Sequence, residues 1–548
     1  MTPSTTGPAK ERGKLRTQLW ATGHLLRSRM IGPMRPDRYI GMTQILRRYG
    51  PHATTGFALA ANRRPDGVGL IDERGSLTWS EIQVRADAFA VGLTALDGTP
   101  PSSVAILCRN HRGFVDALLA AGRLGVPALL LNTGFSAPQL ADVLEREKSS
   151  LIIYDEEFAG LVADARSRIP GLTEVLAWVD DATATRELPT VDQLIDRHRG
   201  SKPPVRKPGR VVLLTSGTTG TPKGANRSGG GPDELAAMLE RIPWHGEETV
   251  VVAAPTFHAW GFGQLVIGAT MACTVVLRRK FDPEAMLALA DQHRATGIAL
   301  VPVMLERAME LPAEVLDRYT LDSVRFVTAS GSRMRGEAVI AFMDRFGDKV
   351  YNSYNATEAG QISVAVPADL RHASDTAGRP VTGTTVRLVD DDGRDVKTGE
   401  VGRIVVKGAS QFDGYTSGDT KASLEGYMVS GDVGRMDAEG RLYVVGRDDD
   451  MIVSGGENVY PIEVERAIGE LPAVREVVVV GVDDEAFGQR LAAYVVPTQG
   501  EALDADSVRA HVKGRLAGYK VPRDVVVLDA LPRNASGKVV VRELPGVS

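Results

Sequence analysis

From about residue 100 the chain alternates short β-rich apolar runs with longer helical segments. SVAILCRN reads as a strand, HRGFVDALLAAGRLG as a helical segment, and VPALLLN as the next strand. The alternation continues through VVVAAPTF, FGQLVIGATMAC, TVVLRR, PEAMLALADQH, SVRFVTAS and GEAVIAFMDRFG. Strands separated by helices require crossover connections, so this pattern predicts largely parallel sheets covered by helices. Near residue 380 the texture changes. TTVRLVDDDGRDV and VGRIVVKG are short alternating runs with turn signals, which predict an antiparallel β subdomain. After LYVVGRDDDMIVSGGENVYP come a helix (PIEVERAIGEL), two strands (VREVVVVGV and LAAYVVPT), a helix (DSVRAHVKGRL) and a last strand (DVVVLDA). That run makes a compact α+β domain of about a hundred residues.

The expected fold class is therefore α/β: a large N-terminal domain of helix-covered sheets with a β subdomain, followed by a small mobile α+β C-terminal domain. The expected boundaries are a basic arm at 1–50, the N-terminal domain at 51–446, a hinge at 447–450 within GRDDD, and the C-terminal domain at 451–548. Exposed, charged, glycine-flanked breaks of this kind are where hinges form.

One stretch, Thr249 to Leu277, contains no charged residue and is long enough to span a membrane. Pro255, His258, Gly261, Gly263, Gln264 and Gly268 punctuate it, so it reads as strand, turn, buried helix and strand instead. No secretory signal is expected, because no uninterrupted apolar run follows the basic N-terminal residues.

Composition adds three points. The 548 residues suffice for two or more domains with ample cores. The two cysteines, Cys108 and Cys273, each sit in an apolar run, which argues against structural disulfides and fits a reducing cytosol. The net charge of -5 gives no argument for nucleic-acid binding, but it is unevenly spread. Residues 1–50 hold ten Lys/Arg against Glu11 and Asp37, a local +8, so the remainder carries -13. Within this arm Leu15, Leu19, Thr22, Leu26 and Met30 follow a helical spacing. Two readings stand: a helix lying on a membrane surface, or one packed on its own protein. The expected location is the cytoplasm, with peripheral contact at the inner membrane surface under the first reading.

The candidate chemistry begins with LLTSGTTGTPKG, Leu213 to Gly224. It follows a buried strand, and its glycines let the main chain approach an anion closely. Ser216, Thr218, Thr219 and Thr221 add hydroxyls and Lys223 a mobile cation. The familiar nucleotide loop needs GxxxxGK followed by Ser or Thr, and Thr221 and Pro222 between Gly220 and Lys223 break that pattern. Alone, such a stretch is as readily a plain solvent loop. Four more stretches accompany it in order: YNATE (Tyr354 to Glu358), GYMVSGDVG (Gly426 to Gly434), GRDDDMIVSGGENVYPIEVE (Gly446 to Glu465) and PRNASGK (Pro532 to Lys538).

With these five motifs in order, the chain from about residue 55 onward resembles the adenylate-forming enzymes, specifically the fatty acyl-CoA synthetases. The resemblance implies ATP-dependent activation of a fatty acid to an acyl adenylate, with release of pyrophosphate, then thioester formation with CoA and release of AMP. The alternative it leaves open is a ligase for an aromatic acid, or one that hands its adenylate to a carrier protein. ATP, Mg²⁺ and CoA are the implied cofactor and co-substrates. A non-enzymatic sensor on the same scaffold is disfavoured by the presence of Lys538, Glu358 and Asp432.

The resemblance also implies roles. Thr215, Ser216, Gly217, Thr218, Thr219, Gly220 and Lys223 would hold the β- and γ-phosphates. Thr357 and Glu358 would face the α-phosphate, with Glu358 as the Mg²⁺ ligand. Ser330, Gly331 and Ser332 would form the turn against adenine, and Tyr354 would stack on the base. Asp432 would accept hydrogen bonds from the ribose hydroxyls, with Arg447 reaching ribose or phosphate. Lys538 would stabilise charge in the adenylation step. The C-terminal domain would rotate about Asp449 to exchange Lys538 for Gly455 and Gly456 on the CoA side. His258 and Asn355 are assigned to the acid substrate, Asn355 standing where the family usually has glycine. GFGQLVIGATMACT suits either an aliphatic tunnel or plain helix packing. No cysteine nucleophile or zinc site is required.

Overall fold

A computed structural model of the chain describes residues 14–181, 183–215, 223–226, 232–356, 358–408, 414–415, 421–448, 450–454, 457–484, 488–534 and 537–547. The chain divides into two compact units. The first comprises the described residues within 1–375, 381–384 and 408–421, the second those within 376–380, 385–407 and 422–548.

The first unit contains two sheets of the expected kind. One runs in the order Gly360–Ala365, Val350–Ala356, Phe326–Ala329, Gly297–Leu300, Thr249–Val252, Thr274–Val276, Val68–Asp72, Gly75–Thr78. Its central pairs, from Val350–Ala356 through Val68–Asp72, are all parallel. The other sheet has seven strands, in the order Gly414–Tyr415, Lys223–Asn226, Val211–Thr215, Ala128–Leu130, Val104–Leu107, Leu151–Tyr154, Thr173–Leu176. Its strands Val104–Leu107, Ala128–Leu130 and Leu151–Tyr154 are buried at every position, which is why they read as continuous apolar runs.

Capping explains where the helices begin. Trp79–Asp97 starts on a capping box in which Thr78 accepts the Glu81 N–H and Glu81 accepts the Thr78 N–H. Arg112–Leu124 starts at His111, whose Nδ1 accepts the Gly113 N–H. The uncharged stretch resolves as predicted into Thr249–Val252, helix Ala259–Thr270 and Thr274–Val276. Gly261 sits where a Cβ would lie 2.2 Å from the Pro255 carbonyl oxygen, so the helix can fold back on the strand exit only with glycine there. Among the described residues no helix is long and apolar enough to cross a membrane.

The second unit holds the antiparallel β subdomain, Thr385–Val389, Gly402–Lys407, Tyr427–Met436 and Ser423–Leu424, with Leu442–Arg447 beside Tyr427–Met436. It also holds a five-stranded sheet in the order Glu457–Val459, Ile452–Ser454, Gly488–Pro497, Val474–Asp484, with Asp524–Val527 pairing Gly488–Pro497 in parallel. Helices Pro461–Gly469 and Ala505–Lys513 bury Val464, Ile468, Val508 and Val512 in the same core as Val479, Leu491 and Val495 of that sheet.

The N-terminal stripe differs from expectation in one respect. The helix spans Lys14–Arg27 and Arg29 turns out of it with a φ of 58°, so Met30 lies beyond its end.

Candidate active site

The expected phosphate loop is framed by a hairpin. Thr215 ends its strand directly opposite Lys223, the first residue of the antiparallel strand Lys223–Asn226. Val211–Thr215 is itself parallel to Ala128–Leu130, so the loop leaves the carboxyl end of a parallel strand, where open α/β sheets bind ligands. Ser216, Gly217, Thr218, Thr219 and Gly220 lie outside the described residues.

In the other sheet, Phe326–Ala329 passes directly to Ser330, which is buried, to Gly331 with a φ of 106°, and to the exposed Ser332. The neighbouring parallel strand puts Asn352 beside Ala329. Three residues further, Asn355 donates from Nδ2 to Ser330 Oγ at 3.2 Å. Its Oδ1 is buried with no hydrogen-bond partner among the described residues. Pairing with Gly360–Ala365 shifts here: Tyr354 faces Ser363 but Asn355 faces Gln361, leaving Ile362 as the extra residue of a bulge. Bulges re-aim side chains, and this one separates the half-buried Tyr354 from Asn355. Glu358 follows, half-buried, while Thr357 lies outside the described residues. A single carboxylate such as Glu358 fits Mg²⁺, which binds through one or two carboxylates and takes its remaining oxygens from phosphate and water.

His258 occupies the N-cap position of helix Ala259–Thr270 without capping it, and its ring lies 4.5 Å from that of Phe257. Sequence reasoning missed the residue that fixes this segment. Asn110 is buried, donates to the Ala254 carbonyl at 2.9 Å, and accepts the Thr256 N–H at 2.8 Å and the Thr256 hydroxyl at 3.0 Å. It holds the Ala254–Thr256 corner from the end of SVAILCRN, and that position after a buried strand was its only sequence signal. Two further side chains on the helix were also missed. Trp260 Nε1 donates to the Leu300 carbonyl at 2.9 Å, tying the helix to a strand of the sheet. One turn on, Gln264 is only 2% exposed, and its Oε1 has no partner among the described residues.

In the second unit, Asp432 and Arg447 are cross-strand partners in register, with Arg447 Nη1 3.6 Å from Asp432 Oδ1. The pair is lopsided: Asp432 is 14% exposed and Arg447 39%. The Ser430 hydroxyl fixes the Asp432 backbone by accepting its N–H at 3.0 Å while donating to the Ile404 carbonyl at 2.8 Å. Lys538 is exposed at the end of a tight turn. Its backbone N–H donates to Asn534 Oδ1 at 3.0 Å, Gly537 supplies a φ of 81°, and the Gly537 carbonyl accepts from Arg533 Nη1 at 2.6 Å. Arg533 is in turn held by Glu476. Asp449, Gly455 and Gly456 lie outside the described residues; the strands on either side of the glycines pair Ser454 with Glu457.

One group of metal-type ligands occurs among the described residues, Cys108, His111 and Asp155, all buried. Its members are already engaged. His111 Nδ1 accepts the Gly113 N–H, so Nε2 donates to Asp155 Oδ1 at 2.8 Å, and Asp155 Oδ2 accepts the Arg109 N–H. The cluster builds the turn that starts helix Arg112–Leu124. Burial pushes the Cys108 thiol well above its usual pKa and the Cys273 thiol up to about 12, so neither is a nucleophile at neutral pH.

Comparison with known proteins agrees with this geometry. Residues 57–416 match the family model described as AMP-binding enzyme, and residues 463–538 that described as AMP-binding enzyme C-terminal domain. The chain is 34% identical to an indoleacetate–CoA ligase of Aromatoleum aromaticum over 493 residues, covering 87% of this chain and 94% of that protein. It is 30% identical to a long-chain-fatty-acid–CoA ligase of Mycobacterium tuberculosis over 475 residues, covering 85% and 92%. Among solved structures, o-succinylbenzoate CoA synthetase from Bacillus subtilis with its acyl-adenylate intermediate matches with a TM-score of 0.75 at 28% identity, covering 90% of this chain and 98% of that one.

Proposed function

This chain belongs to the AMP-binding enzyme family and is an AMP-forming acid–CoA ligase, and we propose that its acid is an aromatic one bearing a polar substituent rather than a fatty acid. The observation that carries this reading is Gln264. The helix after His258, which the sequence leaves open between an aliphatic tunnel and plain helix packing, buries an amide whose Oε1 has no hydrogen-bond partner among the described residues. An alkyl chain alongside would leave that acceptor unsatisfied, at a cost of about 1–3 kcal/mol. An aryl acid carrying an N–H or O–H donor satisfies it. The higher identity to the indoleacetate ligase than to the fatty-acid ligase supports the same direction.

The residues then divide the work. Thr215, Lys223 and the hydroxyls between them hold the β- and γ-phosphates. Glu358, beside Thr357, would hold Mg²⁺, which would supply a Lewis acid at the phosphates. Ser330, Gly331, Ser332 and Tyr354 receive adenine, and Asp432 the ribose, oriented by Arg447. Lys538 brings a cation to the meeting of carboxylate and α-phosphate, where two anions must approach. Rotation of the small domain, about a hinge at 447–450 containing Asp449, then replaces Lys538 by Gly455 and Gly456 for attack by the CoA thiol.

The test is pyrophosphate release across two series of acids, fatty acids of increasing length and aryl acids with and without a ring donor, each with and without CoA. Preference for donor-bearing aryl acids, reduced by Gln264→Leu, supports the reading. Preference for fatty acids, or the same preference in wild type and Gln264→Leu, overturns it.

A further inference from the structure

The N-terminal helix Lys14–Arg27 has two faces. One packs on helix Pro232–Arg241: Ala21 and Leu25 are buried, and Trp20 Nε1 donates to Glu240 Oε1 at 3.1 Å. The apolar stripe that the sequence singled out is not this face. Leu19 and Leu26 stand seven residues apart, two turns along one line, and are 65% and 52% exposed, with Thr22 exposed between them. Arg16 and Arg27 are exposed along one border of the stripe. The next helix, Pro36–Tyr49, has no buried residue; Ile40 is 61% exposed, and Arg47 and Arg48 stand exposed in its last turn. Of the twelve large apolar side chains exposed among the described residues, six (Leu19, Leu26, Ile31, Tyr39, Ile40 and Leu46) fall in this one short segment.

We propose that these two helices form a docking surface for an anionic lipid bilayer, with Leu19, Leu26 and Ile40 entering the headgroup boundary and the arginines beside them meeting lipid phosphates. Three observations select this occupant. Residues 1–50 carry a local +8 while the remainder of the chain carries a net -13, so the arm holds an excess of cations that an anionic surface attracts. The leucines and the arginines occupy adjacent strips of one helix, the arrangement that an interfacial helix needs. A second copy docking through the same face would set two +8 arms against each other, which like-charge repulsion opposes.

The test uses the full-length protein and flotation with vesicles of phosphatidylcholine alone or with about a third phosphatidylglycerol. Binding is expected only to the anionic vesicles, to fall with added salt, and to drop about tenfold or more in Leu19→Gln/Leu26→Gln and separately in Arg16→Gln/Arg27→Gln. All four side chains are exposed, so both variants retain the wild-type melting curve, which circular dichroism checks. Equal binding to both vesicle types, or binding unchanged in both variants, overturns the proposal. So does light scattering that shows either pair converting a dimer to a monomer, because the face is then an interface between copies of the chain.

Discussion

Asn355 spans two adjacent parallel strands to hydrogen-bond Ser330 at 3.2 Å, and its side-chain Oδ1 has no hydrogen-bond partner among the described residues. The family usually has glycine at this position, so the amide occupies space and presents a polar atom that glycine does not. Asn355→Gly is expected to admit bulkier acids and to lower kcat/KM for donor-bearing aryl acids by about tenfold, equivalent to about 1.4 kcal/mol. KM for ATP stays unchanged. Pyrophosphate-release kinetics check this, and a change in the ATP constant with none in the acid constant would move Asn355 to the nucleotide side.

Asn110 satisfies three groups of the Ala254–Thr256 corner at once. Asn110→Leu keeps the branching of the side chain at Cγ and strands a buried carbonyl, N–H and hydroxyl. Chemical denaturation should show a loss of about 2–3 kcal/mol. Because that corner leads into His258, kcat/KM for the acid should fall further than stability alone explains. A destabilised variant with native acid kinetics at low temperature would assign Asn110 to the fold only.

Asp72 ends strand Val68–Asp72, and Arg112 begins helix Arg112–Leu124 with three of its donors on that carboxylate, at 2.5 to 3.0 Å. Burial alone would raise the Asp72 pKa, but the hydrogen bonds and charge of Arg112 outweigh it and hold the carboxyl below its ordinary value. Its folded pKa is depressed, so its stabilisation is complete above about pH 4 and is lost as pH falls through the depressed value. Asp72→Asn leaves a buried guanidinium without its counter-charge and should cost about 3–5 kcal/mol at neutral pH. The variant should also lose part of the acid limb of the stability profile. Parallel wild-type and variant curves below pH 4 would contradict the assignment.

Both thiols are buried, and burial raises both pKa values, Cys273 up to about 12 and Cys108 well above its ordinary value. The folded enzyme should therefore resist an aromatic disulfide reagent at pH 8, and both thiols should react once the chain is unfolded in guanidinium. Rapid labelling of the native protein with loss of activity would mean that one of them is accessible during turnover.

Local patterns carried much of this in the sequence. The helix HRGFVDALLAAGRLG and its flanking strands are legible because their apolar spacing and the turn residue Gly125 agree with the tertiary contacts that bury them. The docking face of the N-terminal helix was only half legible. Leu19 and Leu26 follow a helical line, but so do Thr17, Ala21, Leu25 and Ser28, and periodicity does not say which line finds a partner. Asn110 and Arg112 were not legible as organisers, because their partners are fixed by sheet order, at sequence separations of 146 for Asn110 to Thr256 and 40 for Arg112 to Asp72. Nor was the slip between Tyr354 and Asn355. An extra residue in a strand moves side chains to new neighbours without altering the apolar pattern enough to announce itself.

Lys538 follows a turn fixed by Asn534, Gly537 and Arg533, so its position has a scaffold that can be altered separately from its charge. Lys538→Ala should lower adenylation, read as acid-dependent pyrophosphate release, by about a hundredfold or more, while thioester formation from supplied acyl adenylate and CoA stays largely intact. Arg533→Ala removes the donor to the Gly537 carbonyl and releases Glu476 but leaves the lysine present. It should reproduce a smaller loss, about tenfold, in the first half-reaction alone, and Arg533→Lys should restore part of it. Equal damage to both half-reactions by Lys538→Ala would remove it from adenylation. Full activity in Arg533→Ala would show that the turn holds its form without the clamp.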